Sequence, residues 1–386
     1  MENTANTPSF RTDKKTKDEI SSRQIALFSA FVLPIYKLLE VPSILAKFSG
    51  SDLLLPALLH FVIQTGVLLA LLFVASRTEK TLFERLNERL GKWSLAVYVL
   101  LALYFLLVAV LPLLDLEKFV YAVFYDSAPT LFSFGLFFVF CGFICTKGIK
   151  ALGRVADLSL FLFLFPFLTL IIMSLAEADF TNLLPFFEYG VNETVNAYTY
   201  TLPHFSDVIF LLPLIGNLRF KKGDAVKIGV GYGVGSVATL VFLSVFYGVY
   251  SAVAWKEHYA FAKIAQYFPV LSVIGRVDLL FVYMLCVVLF FFSATPLHYA
   301  VHFTVKTGKI KSKTLVCAIF VSLAFIFVLF CNKYYDGIYA LFGNKLFPVF
   351  LFFNLSPIAF LLLIKPKKGN GTRTACKVDK KENSHA

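Results

Sequence analysis

Charged side chains inside apolar segments are the residues of this sequence that are best placed to do chemistry. Lys37 and Glu40 are three residues apart, which makes them neighbours on a helix, and Asp207 lies near the middle of a second apolar segment. A charge at the centre of a bilayer costs roughly 2.5–3.5 kcal/mol, so it usually faces a partner or a cavity. Because Asp207 has no cationic neighbour in its own segment, it is predicted to bind a ligand amine or a proton, or to accept hydrogen bonds from freed backbone.

Two pairs of charges leave their roles open at this stage. Lys37 and Glu40 predict either a ligand contact or an ion pair that satisfies itself where a helix is interrupted. Arg276 and Asp278 lie in the outer part of another apolar segment. Their position predicts a structural or gating role, such as a clamp on a neighbouring helix.

The sequence lacks the usual signatures of enzymes and metalloproteins. The glycines from Gly229 to Gly235 do not follow a strand, and their spacing is not the GxGxxG of nucleotide-binding loops. They form two overlapping GxxxG pairs, Gly229/Gly233 and Gly231/Gly235, which favour close helix packing. None of the six cysteines forms a CxxC pair. The sequence therefore indicates no enzyme, no cofactor and no metal site.

The composition indicates that these charges belong to a membrane protein. Of the 386 residues, 58% are hydrophobic and 45 are phenylalanine, whereas soluble domains contain about 45–50% apolar residues. The apolar stretches are continuous and lack the alternation of barrel strands, so α-helices must satisfy the backbone within the lipid. The net charge of +12 comes largely from short loops and the tails, which favours membrane orientation over nucleic-acid binding.

Ten apolar runs are long enough to cross a bilayer, which requires roughly 20 residues in a helix. They lie at 25–48, 52–76, 93–114, 128–146, 156–176, 197–218, 226–254, 269–304, 314–332 and 339–364. Basic residues alternate between loops in step with this count, and both tails are rich in them. The sequence thus predicts an all-α membrane domain at 25–364 with cytoplasmic tails at 1–24 and 365–386.

The loop after the second predicted span contains an amphipathic segment at 81–90. Leu82, Phe83, Leu86 and Leu90 share one helical face, while acidic and basic residues alternate on the other. This pattern predicts a helix that lies in the membrane interface on the cytoplasmic side.

Two halves of five spans, at 25–176 and 197–364, would have opposite orientations in the membrane. Such an arrangement is typical of inverted repeats, in which the first helix of each half is commonly broken. Proline removes a backbone donor and clashes with the preceding turn. Because span one contains Pro34 and Pro42 and span six contains Pro203 and Pro213, both helices are predicted to be interrupted.

Short motifs along residues 20–364 resemble, in the same order, those of the spore germination permeases. These are the B-type membrane subunits of nutrient germinant receptors. The matching segments are Ile20-Ser-Ser-Arg-Gln24, Lys47-Phe-Ser-Gly-Ser-Asp52, Leu82-Phe-Glu, Leu90-Gly-Lys92, Arg154-Val-Ala-Asp157, Asn182-Leu-Leu-Pro185, Phe205-Ser-Asp207, Leu211-Leu-Pro213 and Arg276-Val-Asp278. Each motif is weak alone, and their collinear order makes the resemblance specific.

The resemblance implies a relative of the amino acid–polyamine–cation transporters, with a small nutrient such as an amino acid bound between broken helices one and six. It also implies an A-type membrane subunit and a C-type lipoprotein as partners, and a multi-pass location in the spore inner membrane. We predict that the pocket is lined by Tyr36, Lys37, Glu40, Phe205, Ser206, Asp207 and Phe210. Structural or gating roles are predicted for Pro34, Pro42, Pro213, Arg276 and Asp278.

One segment departs from the family pattern. Members usually have a glycine-rich stretch at the break in span one, whereas residues 35–41 contain no glycine here. Either Lys37 supplies the positive charge instead, or the pocket takes something other than a plain amino acid. Two alternatives to a receptor subunit share the same fold: an autonomous amino acid transporter coupled to protons or sodium, and a scaffold whose pocket no longer binds.

Overall fold

The computed structural model describes residues 20–77, 80–124, 130–185, 187–267, 278–308 and 312–364. Every regular element within these ranges is helical, and no strand occurs in them. The predicted all-α class is therefore confirmed. Most of the tail at 1–24 and the whole tail at 365–386 lie outside the described residues.

Nine α-helices occupy the described chain up to Leu175. They are α1 (Ser22–Leu27), α2 (Leu33–Lys37), α3 (Val41–Ser49), α4 (Leu54–Ala75), α5 (Leu82–Leu90), α6 (Ser94–Val108), α7 (Val110–Phe124), α8 (Thr130–Thr146) and α9 (Ile149–Leu175). A π-helical turn, Phe28–Val32, joins α1 to α2. Two 3₁₀ turns, Gly50–Leu53 and Gly91–Trp93, lead into α4 and α6.

Eight further α-helices follow in the described residues after Leu175. They are α10 (Gly190–Thr201), α11 (Asp207–Gly216), α12 (Asp224–Tyr250), α13 (Ala260–Tyr267), α14 (Asp278–Gly308), α15 (Lys313–Cys331), α16 (Tyr335–Ala340) and α17 (Phe347–Ile364). The turn Leu202–Phe205 links α10 to α11, and a π-helical turn, Leu341–Lys345, links α16 to α17.

The first helix begins earlier than the apolar run predicts. Helix α1 begins at Ser22 rather than at residue 25, because Ser21 and Gln24 form a capping box. The Ser21 hydroxyl accepts the Gln24 amide at 3.3 Å, and the Gln24 side chain accepts the Ser21 amide at 3.3 Å. These two bonds satisfy backbone donors that would otherwise have no partner at the helix start.

Six helical stretches among the described residues are long and apolar enough to cross a membrane. They are Val41–Ala75, Leu82–Val123, Ile149–Leu175, Asp224–Lys256, Leu279–Gly308 and Lys313–Lys345. Large apolar side chains such as Val62, Leu136 and Phe330 are more than half exposed on these and neighbouring helices. Such surfaces suit a lipid environment, and the chain is a polytopic α-helical membrane protein.

Helix α14 forms much of the core. It packs against α6 and α9, while α12 packs against α1 and α4, and α15 packs against α8. The interior is rich in aromatic contacts, for example the parallel rings of Phe210 and Phe292, whose centroids are 4.9 Å apart. This packing holds the short helices α2, α3 and α11 between longer ones.

Only the second of the two GxxxG pairs makes a close helix contact. A Cβ atom on Gly231 would lie 2.8 Å from Cα of Ala26, and one on Gly235 would lie 2.5 Å from the carbonyl oxygen of Ser29. Nothing lies within 4 Å of the same position on Gly233. The predicted close packing of α12 is confirmed for Gly231 and Gly235, which let the backbone of α1 and of the π-helical turn that follows it approach.

The amphipathic segment at 81–90 forms the predicted helix, α5. Thr81 and Glu84 close a capping box, with the Thr81 amide donating to Glu84 at 2.9 Å. Leu82, Phe83 and Leu86 are buried against the helical core, so α5 is docked on the protein through its apolar face.

Candidate functional site

Two helices are interrupted where the prolines predict, and the interruptions meet. The first is the path α1–α3, called helix one below: α2 ends at Lys37 and α3 begins at Val41, with a turn at residues 38–40 between them. The second is the path α10–α11, called helix six below, in which Ser206 leaves helical geometry between the 3₁₀ turn and α11. Pro34 and Pro42 lie in the first turns of α2 and α3, where proline is tolerated because the amide has no helical partner.

Backbone groups released by the two breaks find partners elsewhere in the fold. The carbonyls of Leu38 and Leu39 accept hydrogen bonds from the amides of Phe261 and Ala260, at 3.2 and 2.9 Å. At the break in helix six, the amide of Val208 in the first turn of α11 donates to the side-chain oxygen of Gln64 at 3.1 Å. The breaks are therefore built into the structure, because these groups are satisfied by side chains and a loop.

A buried ion pair joins the two breaks. The Lys37 ammonium donates to Oδ1 of Asp207 at 2.6 Å, and both side chains are less than 5% exposed. Lys37 is in the last turn of α2 and Asp207 in the first turn of α11, so each charge complements the dipole of its own helix. Tyr232 donates to Oδ2 of Asp207 at 2.9 Å. The Lys37 ammonium also lies 5.3 Å from the centroid of the Phe205 ring.

The alternative in which Lys37 and Glu40 satisfy each other is wrong. The turn at residues 38–40 separates the two side chains, so they are no longer neighbours on one helix. Glu40 instead accepts Nδ1 of His258 at 3.0 Å. The pair joins a buried carboxylate to an exposed imidazole in the loop between α12 and α13. This contact and the two backbone bonds from α13 attach that loop to the break in helix one.

A polar network on the other side of the break in helix six was not predicted. Gln64 of α4 accepts the amide of Val208 at 3.1 Å and donates to Asn354 of α17 at 3.0 Å. Asn354 in turn donates to the Ser206 hydroxyl at 3.2 Å. Each member is buried. The detectable signal was an isolated amide side chain within each of two apolar runs, which usually faces a partner inside a membrane.

Asp115 is a further buried carboxylate, and the sequence did not predict it. Tyr36 donates to one of its oxygens at 2.7 Å and Tyr335 to the other at 2.8 Å. Asp115 lies just beyond the predicted end of span three, and the helical path continues through α7 past it to Phe124. The longer helix places this acid inside the protein, where two hydroxyl groups satisfy it.

A small, partly enclosed cavity lies beside the ion pair, between helices one and six and the helices packed around them. Its volume is about 20 Å³, enough for roughly one water molecule. Of the seven predicted pocket residues, four line it: Tyr36, Ser206, Asp207 and Phe210. The other linings are mostly apolar and include Phe292 and His204. The two rings of Tyr36 and Phe292 stack with centroids 4.9 Å apart, which closes one wall.

The other three predicted residues do not line this cavity. Lys37 bonds to Asp207, the Phe205 ring lies beside the Lys37 ammonium, and Glu40 faces His258. Arg276 lies outside the described residues, and α14 begins at Asp278, whose side chain is also outside them. Their predicted gating role stays a prediction.

Asp52 anchors the loop that precedes helix six. Its two oxygens accept the amides of Phe187 and Tyr189 at 2.6 and 2.9 Å, and the carboxylate is buried. The residue ends the Lys47–Asp52 motif, which the sequence analysis noted without a role. Because the accepting group carries a charge, each of these bonds is stronger than one between neutral groups.

Asn at position 52 is expected to lower the free energy of unfolding by roughly 1.5–3 kcal/mol. The amide has one acceptor, so one backbone N–H would face a donor and stay unsatisfied. Thermal unfolding of the Asp52→Asn variant in detergent measures the effect. Asp179→Asn is the control, because the side chain of exposed Asp179 accepts hydrogen bonds from nearby Thr181 and anchors no distant segment. Equal shifts in the two variants would contradict the anchoring role.

The contact between His258 and Glu40 is expected to weaken as the pH rises. Its hydrogen bond to Glu40 raises the pKa of His258, against the effect of partial burial, while Glu257 raises the pKa and Lys263 lowers it. The stabilisation is therefore complete below about pH 6.5 and lost as the pH rises through the raised pKa. We expect less than about 1 kcal/mol, since the imidazole is exposed.

Thermal unfolding from about pH 5.5 to about pH 8.5, on both sides of the usual histidine pKa, tests this dependence. The parent protein should lose more stability across that interval than the His258→Gln variant. Parallel curves for the two proteins would show that the contact does not respond to protonation.

The fold and the site together define a multi-pass α-helical membrane protein with two interrupted helices that meet at a buried ion pair. A family described as spore germination protein matches residues 37–336, which is most of the chain. The chain belongs to this family. No curated protein matches it significantly.

Proposed function

We propose that this chain is the membrane subunit of a spore germinant receptor and senses a small nutrient at the junction of its interrupted helices. Membership of the spore germination protein family supports the biological role. The observation that carries the site is the Lys37–Asp207 pair, which joins both breaks beside a cavity. Charge complementation at two facing helix ends creates a polar centre within an apolar interior.

The proposed architecture has ten spans arranged as two inverted repeats of five, at 25–176 and 197–364. In this arrangement the interrupted paths α1–α3 and α10–α11 are the first helices of the two halves. Each carries an ionised group of the Lys37–Asp207 pair at its break. This correspondence supports the repeat, since broken first helices usually form the substrate site of such folds.

The ligand is proposed to be a small neutral or zwitterionic nutrient, of which amino acids are the main class. Lys37 already neutralises Asp207, so the pocket has no need of a second cation. The aromatic rings of Tyr36, Phe210 and Phe292 offer apolar contact to a side chain. A polar end group can exchange hydrogen bonds with Ser206 or with the ion pair.

Binding requires the protein to open, because a cavity of about 20 Å³ does not hold an amino acid. We propose that the described conformation is the closed, unliganded state. A ligand then shifts the population toward a state with a larger pocket, by binding that state more tightly. The contact between Glu40 and His258 attaches a loop to helix one and belongs to the closed state.

The proposed partners and location rest on the family resemblance rather than on the geometry of this chain. We propose an A-type membrane subunit and a C-type lipoprotein as the proteins that receive the conformational signal. The proposed location is the spore inner membrane, with both termini in the cytoplasm. The basic loops and tails support that orientation.

The purified protein in liposomes, incubated with a mixture of labelled amino acids, tests the proposal. Saturable binding without accumulation is the expected result for a receptor subunit. Accumulation driven by a proton or sodium gradient would instead support the autonomous transporter. Liposomes without protein are the control, and the absence of both signals would contradict a nutrient site in this chain.

A further inference from the structure

A second, larger cavity opens at one end of the helices. The loop whose His258 bonds to Glu40 lies at the opposite end. The volume of this cavity is about 1060 Å³, and it lies between the α8–α9 connection and the ends of α11, α14 and α15. The sequence predicts that this face is cytoplasmic. A cavity of this size exceeds what one phosphate group needs and can admit a larger molecule that carries one.

The lining of this cavity is strongly basic. Five cationic side chains line it, and no Asp or Glu is among its described lining residues; the cations are Lys147, Lys150, Arg154, Lys306 and Lys313. Lys147, Lys150, Arg154 and Lys306 form no ion pair with a carboxylate in the part of the chain that the structure describes. Positive charges gathered around a concavity whose described lining contains no acidic residue attract an anion.

Backbone donors add to this charge at the start of α9. Gly148 is the N-cap of a 27-residue helix and provides no side-chain cap, so amides of the first turn lack that partner. Gly148, Ile149 and Lys150 all line the cavity. A helix start without a side-chain cap presents backbone amides and a positive dipole end, and it is a common binding place for phosphate groups.

The wall of the cavity is held in place before any ligand binds. The carbonyl of Lys147 accepts hydrogen bonds from Nε2 of His298 at 2.9 Å and from the Lys313 ammonium. These contacts attach the α8–α9 connection to both α14 and α15. The Lys306 ammonium lies 4.4 Å from the centroid of the Phe83 ring, which positions a further cation at the rim.

A polar atom in the wall has no partner. His302 lines the cavity, and its buried Nε2 makes no hydrogen bond with the described residues. Buried imidazole nitrogens are normally paired, so this nitrogen offers an unused hydrogen-bonding group to an anion in the cavity. The general excess of positive charge on cytoplasmic faces does not account for this arrangement, since it requires neither a cavity nor an uncapped helix.

We propose that this cavity binds a phosphate-bearing anion, supplied either by a lipid headgroup or by a soluble phosphate compound. The anion bridges the α8–α9 connection and the end of α14. Asn217, the residue after α11, also lines the cavity. A bound anion would therefore contact the end of helix six and stabilise one arrangement of that helix relative to α9 and α14.

Thermal unfolding of the purified chain in detergent tests the proposal with two probes. One probe is short-chain phosphatidylglycerol, with phosphatidylcholine as its neutral control; the other is inorganic phosphate against sodium chloride of equal ionic strength. A ligand that binds the folded state raises the unfolding midpoint. A rise with both probes identifies a soluble phosphate as sufficient, whereas a rise with phosphatidylglycerol alone identifies the headgroup.

The variant Lys147→Gln/Lys150→Gln/Arg154→Gln should bind the effective probe at least about tenfold more weakly than the parent. The control variant Lys92→Gln/Lys221→Gln/Lys222→Gln removes the same charge at exposed positions outside the cavity and should respond like the parent. Similar midpoints of all three proteins without probe show that they fold. No rise in the parent, or equal responses of the two variants, would overturn the proposal.

Discussion

Methionine in place of Lys37 is expected to lower the free energy of unfolding by about 3–5 kcal/mol. The substitution keeps the length and apolar stem of the side chain and removes the ammonium that lies 2.6 Å from Asp207. Among the described residues, Asp207 would keep only the hydroxyl of Tyr232 as a side-chain donor. Breaking a buried pair from one side is costly because it leaves an uncompensated charge in a medium of low dielectric constant.

Two controls separate burial from distance in this prediction. The exposed pair Lys80–Glu88 has the same separation, 2.6 Å, so Lys80→Met should cost less than about 1 kcal/mol. The double variant Lys37→Met/Asp207→Asn should regain most of the lost stability, because no buried charge is left. Denaturant unfolding in mixed micelles measures five proteins: the parent, Lys37→Met, Asp207→Asn, the double variant and Lys80→Met. Additive effects of the two single substitutions would mean that the groups do not interact.

Alanine at position 231 is expected to destabilise the protein by about 3 kcal/mol. Its Cβ would lie against the carbonyl oxygen and Cα of Ala26, in the backbone of α1. A backbone cannot rotate away as a side chain does, so α12 and α1 would have to separate. Because α1 leads into the interrupted helix, such a separation should also impair ligand response.

Gly233→Ala is the matched control in the same helix. Nothing lies within 4 Å of the added methyl group there, and alanine favours the helix over glycine. We expect a gain of up to about 1 kcal/mol in place of a loss. Thermal unfolding of the two variants should therefore move in opposite directions. A loss of similar size in both would mean that α12 faces the protein with its other side.

The helical class was predictable from composition because lipid leaves few structures that satisfy a backbone. Continuous apolar runs, Pro34 in span one and Pro203 in span six were enough to predict both interruptions. The end of span three was not predictable in the same way. Asp115 resembled the start of a loop, yet Tyr36 and Tyr335 satisfy it within a helix that continues to Phe124.

The members of the site were partly predictable, but their partners were not. Asp207 and Lys37 stood out as charges within apolar runs, and the structure buries both. Their pairing across 170 positions of sequence has no local signal, whereas the helical spacing of Lys37 and Glu40 suggested a neighbour that the break removes. Gln64 and Asn354 were detectable only as lone amides, because their roles depend on helices that meet in space.

The small size of the cavity explains how a ligand site can exist in a conformation that has no room for the ligand. Ser206 and Asp207 are held by partners from α2, α12 and α17, so each polar group is satisfied when no ligand is bound. A nutrient must then replace some of these contacts or enlarge the space beside them. In this account, ligand affinity reflects both the new contacts and the cost of opening.

The most direct test of the nutrient site is equilibrium binding of the labelled amino acid mixture to Lys37→Met/Asp207→Asn in liposomes. This variant should fold, so weaker binding would reflect the site rather than stability. Asp52→Asn is the control, because it replaces a buried carboxylate that lies outside the cavity. We predict at least about tenfold weaker binding for the double variant and parent-like binding for the control. Parent-like binding by both would contradict a nutrient pocket at the interrupted helices.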